Sequence, residues 1–183
     1  MIPDFVHSEG CPVGRLPPGV YPCSEITLRT RLLEELPDSR RRAAWGERIH
    51  EYLREVERLG LAGDVWIAGA FVTTAPEPTG CRLAHFCDAA KLNDLDEDGR
   101  AYLRSAVEGA LAADGEPLEV IVVPEHPAED ERGAELTEDG RDSLLAEFGR
   151  TPPMGRAGRR FKMGFIKLSL AAADGPEPDA EKA

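Results

Sequence analysis

Apolar residues recur at three- and four-residue spacing from Trp45 through Ile49, Tyr52, Leu53 and Val56 to Leu59, with Arg and Glu between them. A stripe of that period buries one helix face and leaves the other in water, so it predicts a helix from a cap at Asp38 or Ser39 to Leu59, stopped by Gly60. Upstream, Ile26, Leu28, Leu32, Leu33 and Leu36 predict a shorter helix that starts at Ser24 and Glu25 and ends before Pro37. Leu103, Ala106, Val107, Ala110 and Leu111 predict a helix over 96–113, closed by Asp114 and Gly115. Leu144, Leu145 and Phe148 predict a short one over 142–148, after an acidic loop.

Where apolar residues run together or alternate, strands are expected. They fall at Val65-Trp66-Ile67-Ala68, ended by Gly69, at 82–86, at 118–123 with β-branched Val120, Ile121, Val122 and Val123, and at 161–170. In the last strand Phe161, Met163 and Phe165 share one face, and Ile166, Leu168 and Leu170 the other. Residues 1–23 are rich in Pro and Gly but carry Ile2, Phe5, Leu16, Val20 and Tyr21, which predicts an arm docked on the core. Residues 171–183, rich in Ala, Asp, Glu and Pro, are expected to form a disordered acidic tail. The length of 183 residues fits one domain, 1–170, of α+β class with a mixed central sheet flanked by helices.

At 42% hydrophobic and 31% charged residues the chain is too apolar to remain unfolded. It contains no apolar run of the roughly 18 to 20 residues that would span a bilayer, and no export signal is expected at its start. Cys11, Cys23, Cys81 and Cys87 form no C-x-x-C pair and are too few for a disulfide framework, so reduced thiols in a cytoplasm are expected. A net charge of −12 argues against nucleic acid as a partner. The acidity is nevertheless uneven, because Arg150, Arg156, Arg159, Arg160, Lys162 and Lys167 lie in a stretch to Leu170 without Asp or Glu.

Three pieces together carry a resemblance: Ile2-Pro3-Asp4-Phe5 with Leu16-Pro17-Pro18-Gly19-Val20, Val65 to Thr73 with Pro76-Glu77-Pro78-Thr79-Gly80, and Phe165-Ile166-Lys167-Leu168. In this order the chain resembles a family of small bacterial nucleotidyltransferase-like proteins. The resemblance implies a mixed sheet in which a strand ending in Gly-Ser-Phe brings backbone close to a nucleotide triphosphate. It also implies two aspartates at alternate positions on the next strand, which hold a divalent metal from one face. Gly69 and Phe71 match, with Thr73 beyond them, but Ala70 replaces the serine, and the metal positions fall on Cys81 and Leu83. Leucine ligates nothing, and a thiolate is too soft for magnesium. Glu119 is the one candidate residual acid.

The reading that follows is a degenerate, catalytically inactive domain serving as a binding or regulatory module, with no cofactor and an unidentified protein partner. Its rival is an active transferase that uses magnesium through unorthodox acids such as Glu119, Asp88 and Asp94. A third reading assigns Arg156, Arg159, Arg160 and Lys162 to a nucleic-acid backbone, against the simpler one in which this segment pairs with the acidic residues 125–138. Cys81, His85 and Cys87 are acceptable zinc ligands with His126 as a fourth, although on one strand they spread over more than ~12 Å. A thiol nucleophile, Cys81 or Cys87 with His85 or His126 as base, lacks any basic neighbour to lower the thiol pKa. Arg40, Arg41 and Arg42 are expected on a solvated helix face.

Overall fold

The described part of the computed structural model comprises residues 1–36, 38–113, 115–154 and 158–171. The 172–183 tail and Arg156, for which expectations were stated, lie outside it. The arm docks: Ile2 and Leu16 are buried, and the arm ends in strand β1 (Val20–Pro22). Ser24 then caps α1 (Glu25–Arg29) by accepting from the Thr27 amide, and a π-helical turn over Thr30–Glu34 prolongs it. The Trp45 stripe forms α2 (Arg40–Arg58), with Ser39 as its cap and Trp45, Ile49, Tyr52, Leu53 and Val56 buried along one side.

β2 (Gly63–Ala68) and β3 (Arg82–Asp88) are antiparallel neighbours, joined through a 3-10 turn at Ala70–Val72. Asp88 caps a short α3 (Ala89–Asn93), an element the apolar spacing does not reveal, and α4 (Glu97–Val107) follows. The helix expected over 96–113 stops at Val107 because Gly109 turns the chain at φ 85°, and Ala112–Ala113 (β4) and Glu116–Pro117 (β5) then form a small hairpin. β6 (Glu119–Glu125) completes the crossover and pairs parallel with β3.

The acidic stretch expected as a loop is largely helix, since α5 (Glu131–Phe148) starts eleven residues before the expected 142 and is capped by Asp130. Its first turns hide themselves from a pattern search because Leu136 is exposed and Gly133 and Gly140 occupy other positions on the helix. β7 (Phe165–Leu170) is also shorter than the expected 161–170, because residues 150 and 162 pair with each other instead of extending it.

The sheet order is β1-β7-β2-β3-β6, with β1 and β7 parallel, β7 and β2 antiparallel, β2 and β3 antiparallel, and β3 and β6 parallel. The protein is therefore α+β, with a mixed five-stranded sheet flanked by helices. On one face Val65, Ile67, Leu83, Val120, Ile166 and Leu168 meet α1, α2 and α4 in the larger core. On the other, Trp66, Phe86 and Phe165 receive Leu144 and Phe148 of α5.

Gly63 lets β2 and β3 meet at this spacing. Its φ is 139°, and a Cβ there would lie 1.9 Å from the Phe86 carbonyl oxygen. We expect Gly63→Ala to lower stability by about 3 kcal/mol, from a strained backbone plus a contact with main chain that cannot retreat without breaking the ladder. Urea unfolding followed by tryptophan fluorescence measures it, and a loss below about 1 kcal/mol would contradict the assigned strain.

Candidate functional site

β2 delivers the chain into a sharp turn at Gly69, whose φ of 95° suits glycine and whose position leaves only 3.0 Å between an added Cβ and the Gly80 carbonyl oxygen. Three of the amides that follow are used internally. Phe71 donates to Gly80 O at 3.1 Å, Val72 to Gly69 O at 3.3 Å and Thr73 to Ala70 O at 3.1 Å. The Thr73 hydroxyl also donates to Ala70 O, at 2.7 Å, and Ala70, Phe71, Val72 and Thr73 are all buried. A phosphate cradle needs free amides pointing into a cleft, and these three are committed to carbonyls beneath the surface.

What holds the turn is Arg42, which is only 2% exposed and so corrects the expectation of a solvated face. From the first turn of α2 its guanidinium donates to Phe71 O at 2.7 Å and to Thr73 O at 2.9 Å, with Ala75 O as a third acceptor at 2.5 Å. A buried cation needs acceptors, and carbonyls left over by a turn need donors, so each solves the other's desolvation. Burial lowers the Arg42 guanidinium to about 10, with Glu77 acting against that shift. Trp45 of the same helix donates to Pro78 O at 3.3 Å, so α2 ties the turn at two points.

β3 and the residue just before it carry the positions that the resemblance assigns to metal. Leu83 is 0% exposed and Cys81 1%, both within the larger core. Leu83 is registered with Val120 and Arg82 with Glu119, and registered neighbours project to the same side of a sheet. Glu119 therefore lies on the face opposite Cys81 and Leu83, which corrects its role as the residual acid of that site. The residues on either side of it in sequence, Leu118 and Val120, are buried and apolar, and Val120 shares the face of Leu83. Glu119 instead receives a bidentate bond from Arg82, at 2.7 and 2.8 Å, while Arg82 reaches Glu147 at 2.9 Å and stacks over Phe148 at 5.1 Å.

Asp88 and Asp94 do not join this end of the sheet. Asp88 lies at the far end of β3 and accepts from the Ala90 and Lys91 amides, and Asp94 closes α3. The donor set around Cys81 and Leu83 does not fit magnesium, which needs several hard oxygens. Among the described residues no group of three or more His, Cys, Asp or Glu could hold a metal ion, so Cys81, His85 and Cys87 do not converge with His126. His85 Nδ1 lies 3.0 Å from the Tyr52 hydroxyl, and His126 Nδ1 lies 3.2 Å from Asp130 Oδ2.

The thiols are equally unsuited to attack. Burial pushes the Cys87 thiol up to about 11, with Glu125 and Asp88 adding to the shift, and burial pushes Cys81 up as well. What opens to solvent beside Gly80, Cys81 and Arg82 is a cleft of about 430 Å³ rimmed by Glu108, Glu116 and Glu119. Its one cation, Arg82, is already held by two carboxylates, so the rim repels a triphosphate.

Among the described residues the basic segment and the acidic residues 125–138 do not pair, contrary to expectation. Arg159, Arg160 and Lys162 are exposed and, among the described residues, form no ion pair. Glu125 is bound by Arg141 and Asp130 by His126 within the α5 region itself. The reason is secondary structure: α5 carries the acids away along its own axis, while 150–154 and 158–162 pair with each other through bridges between Arg150 and Lys162 and between Met154 and Arg159.

Fold and site together define an α+β protein whose buried β2–β3 face offers no hard ligands. The chain belongs to a family of unknown function, DUF6932, whose model matches residues 10–168. No curated protein and no solved structure matches it. Among the described residues no helix is long and apolar enough to cross a membrane.

A carboxylate at position 83 would enter an apolar layer without partners. We expect Leu83→Asp to cost more than about 3 kcal/mol and Leu83→Met less than about 1.5 kcal/mol. Equal stability of the two in urea would show that this face is wet. His85 gives a second test, since burial lowers it from 6.5 to about 4, the Leu61 backbone opposing. Because the folded value is the lower one, its contribution is complete above pH 6.5 and fades as pH falls towards about 4, by up to about 3 kcal/mol. His85→Gln should flatten the stability profile between pH 6.5 and 5, and an unchanged slope would remove His85 as its cause.

Proposed function

We propose that the protein is a degenerate nucleotidyltransferase-like domain that works as a binding or regulatory module and transfers no nucleotide. Supporting this reading are the β2 strand ending at Gly69, the turn to Thr73 and the return through Gly80 into β3, the order expected of such a domain. The observation that carries the loss of catalysis is parity: Cys81, Leu83 and Val120 share the face where acids would be needed, and all three lie in the larger core. With the Phe71, Val72 and Thr73 amides spent as well, the metal has no hard ligands and the phosphates lose three of the turn's donors.

Calorimetric titration with each of the four nucleoside triphosphates, with and without magnesium, tests the reading. The expected outcome is no magnesium-dependent heat and no transfer of α-phosphate label to protein or RNA. Magnesium-dependent binding accompanied by label transfer, and lost on Glu119→Gln, would establish the active-enzyme alternative instead.

A further inference from the structure

α5 is the single described helix on the second sheet face, and it covers the Trp66, Phe86 and Phe165 side of it. Beyond it, towards the β1 edge, lies a groove of about 740 Å³. Its apolar lining includes Val20, Leu145, Met163 and Phe165, of which Val20 and Leu145 remain 38% and 44% exposed. Arg150 and Lys162 stand at its side, with Asp142 as the one acid. Arg159 and Arg160 continue the positive charge on the adjoining ribbon, and Arg15 joins it by donating to Lys162 O at 2.8 Å.

None of these five cations forms an ion pair among the described residues, which is equally true of Arg54, Lys91, Arg100, Arg104 and Arg132; what sets the five apart is that the bridges between residues 150 and 162 and between 154 and 159, with the Arg15 bond to Lys162 O, gather them at one side of the groove. In a chain of net charge −12 this gathers positive charge beside exposed apolar side chains. We propose that the groove between α5 and β1 docks an acidic amphipathic helix of a protein partner, laid beside α5 with its apolar stripe on Val20 and Leu145 and its carboxylates on Arg150 and Lys162.

The apolar floor is what favours a helix over a nucleic acid. Phosphates would find the cations, but bases would find no open aromatic surface, since Phe165 is buried and Arg15 lies over the Phe161 ring at 5.5 Å. A helix packs 8–10 Å from its neighbour and satisfies all its interior backbone groups, so it can cover sheet without competing for the ladder. Complementary charge then sets its orientation and speeds its arrival. This inference rests on the binding-module reading and moves it to a different surface from the β2–β3 turn. Nucleotide titration tests the one and peptide binding the other.

Fluorescence anisotropy with the full chain tests it. The probe is a fluorescein-labelled peptide of about 18 residues with Leu at helical i, i+3, i+4 and i+7 positions and Glu on the other face. A scrambled peptide of the same composition and a labelled oligouridine of about 20 nucleotides serve as comparisons. The amphipathic peptide should bind at least about tenfold tighter than the scrambled one, and Leu145→Glu and the Arg150→Glu/Lys162→Glu pair should each weaken it about tenfold. Both variants alter exposed side chains, and a thermal midpoint within about 3 °C of the parent confirms that they fold. Absence of peptide binding, equal binding of the two peptides, or indifference to both variants overturns the proposal. Tighter binding of oligouridine than of peptide, lost in an Arg159/Arg160 double alanine variant, also overturns it and assigns the cations to nucleic acid.

Discussion

β3 is paired on both edges and covered on both faces, so every one of its side chains from Leu83 to Cys87 has to enter one of two packed layers. Strict alternation sends Cys81, Leu83, His85 and Cys87 towards α2 and α4, and Arg82, Ala84 and Phe86 towards α5. Burial at this depth costs any carboxylate several kcal/mol unless a cation or several donors meet it. The larger core supplies neither, so its residue types and the absence of hard ligands on this face are one constraint seen twice. His85 is the single titratable base in the row, and it persists there as a neutral ring against the Tyr52 hydroxyl.

The turn after β2 follows from the same packing. Because β2 and β3 bring Gly69 and Gly80 within hydrogen-bonding distance of one another's segments, residues 70–73 have nowhere to go but inward. Their carbonyls then face the interior with no strand partner, and an unpaired buried carbonyl costs roughly 1–3 kcal/mol. Arg42 supplies the donors. A guanidinium suits the task better than an ammonium, since its planar fork reaches several acceptors at fixed angles. The loop is thus rigid for a reason unconnected with any ligand, and on the proposed reading a phosphate-binding turn has become a structural one.

Much of this was readable in the sequence, and the failures have physical causes. α2, β2, β3, β6 and the two-faced alternation of Phe165, Ile166 and Leu168 follow from period alone, because each has a continuous buried face. α5 was half missed since its N-terminal turns lie largely in solvent, where polarity carries no period. Arg42 was misread because charge implies exposure only until a turn offers it carbonyls, and that turn lies roughly 30 positions further along the chain. The residue types at the positions that the resemblance assigns to metal were visible. The side on which Glu119 projects was not, because it depends on the registration of β6 against β3, which no local pattern encodes.

Registration also decides how the two halves of the surface differ. Arg82 and Glu119 project together towards α5, so the cleft beside Gly80 closes its single cation into a network with Glu147 and keeps a negative rim. At the β1 side Arg150 and Lys162 form no ion pair among the described residues, although Asp142 lines the same groove, and α5 ends at Gly149, just before Arg150. Charge that is neutralised within the fold cannot recruit a partner, while uncompensated charge beside exposed apolar surface gains from one on both counts. The surface able to bind is then the unfinished side of the sheet, and the residues that once suggested chemistry are part of what keeps that sheet rigid.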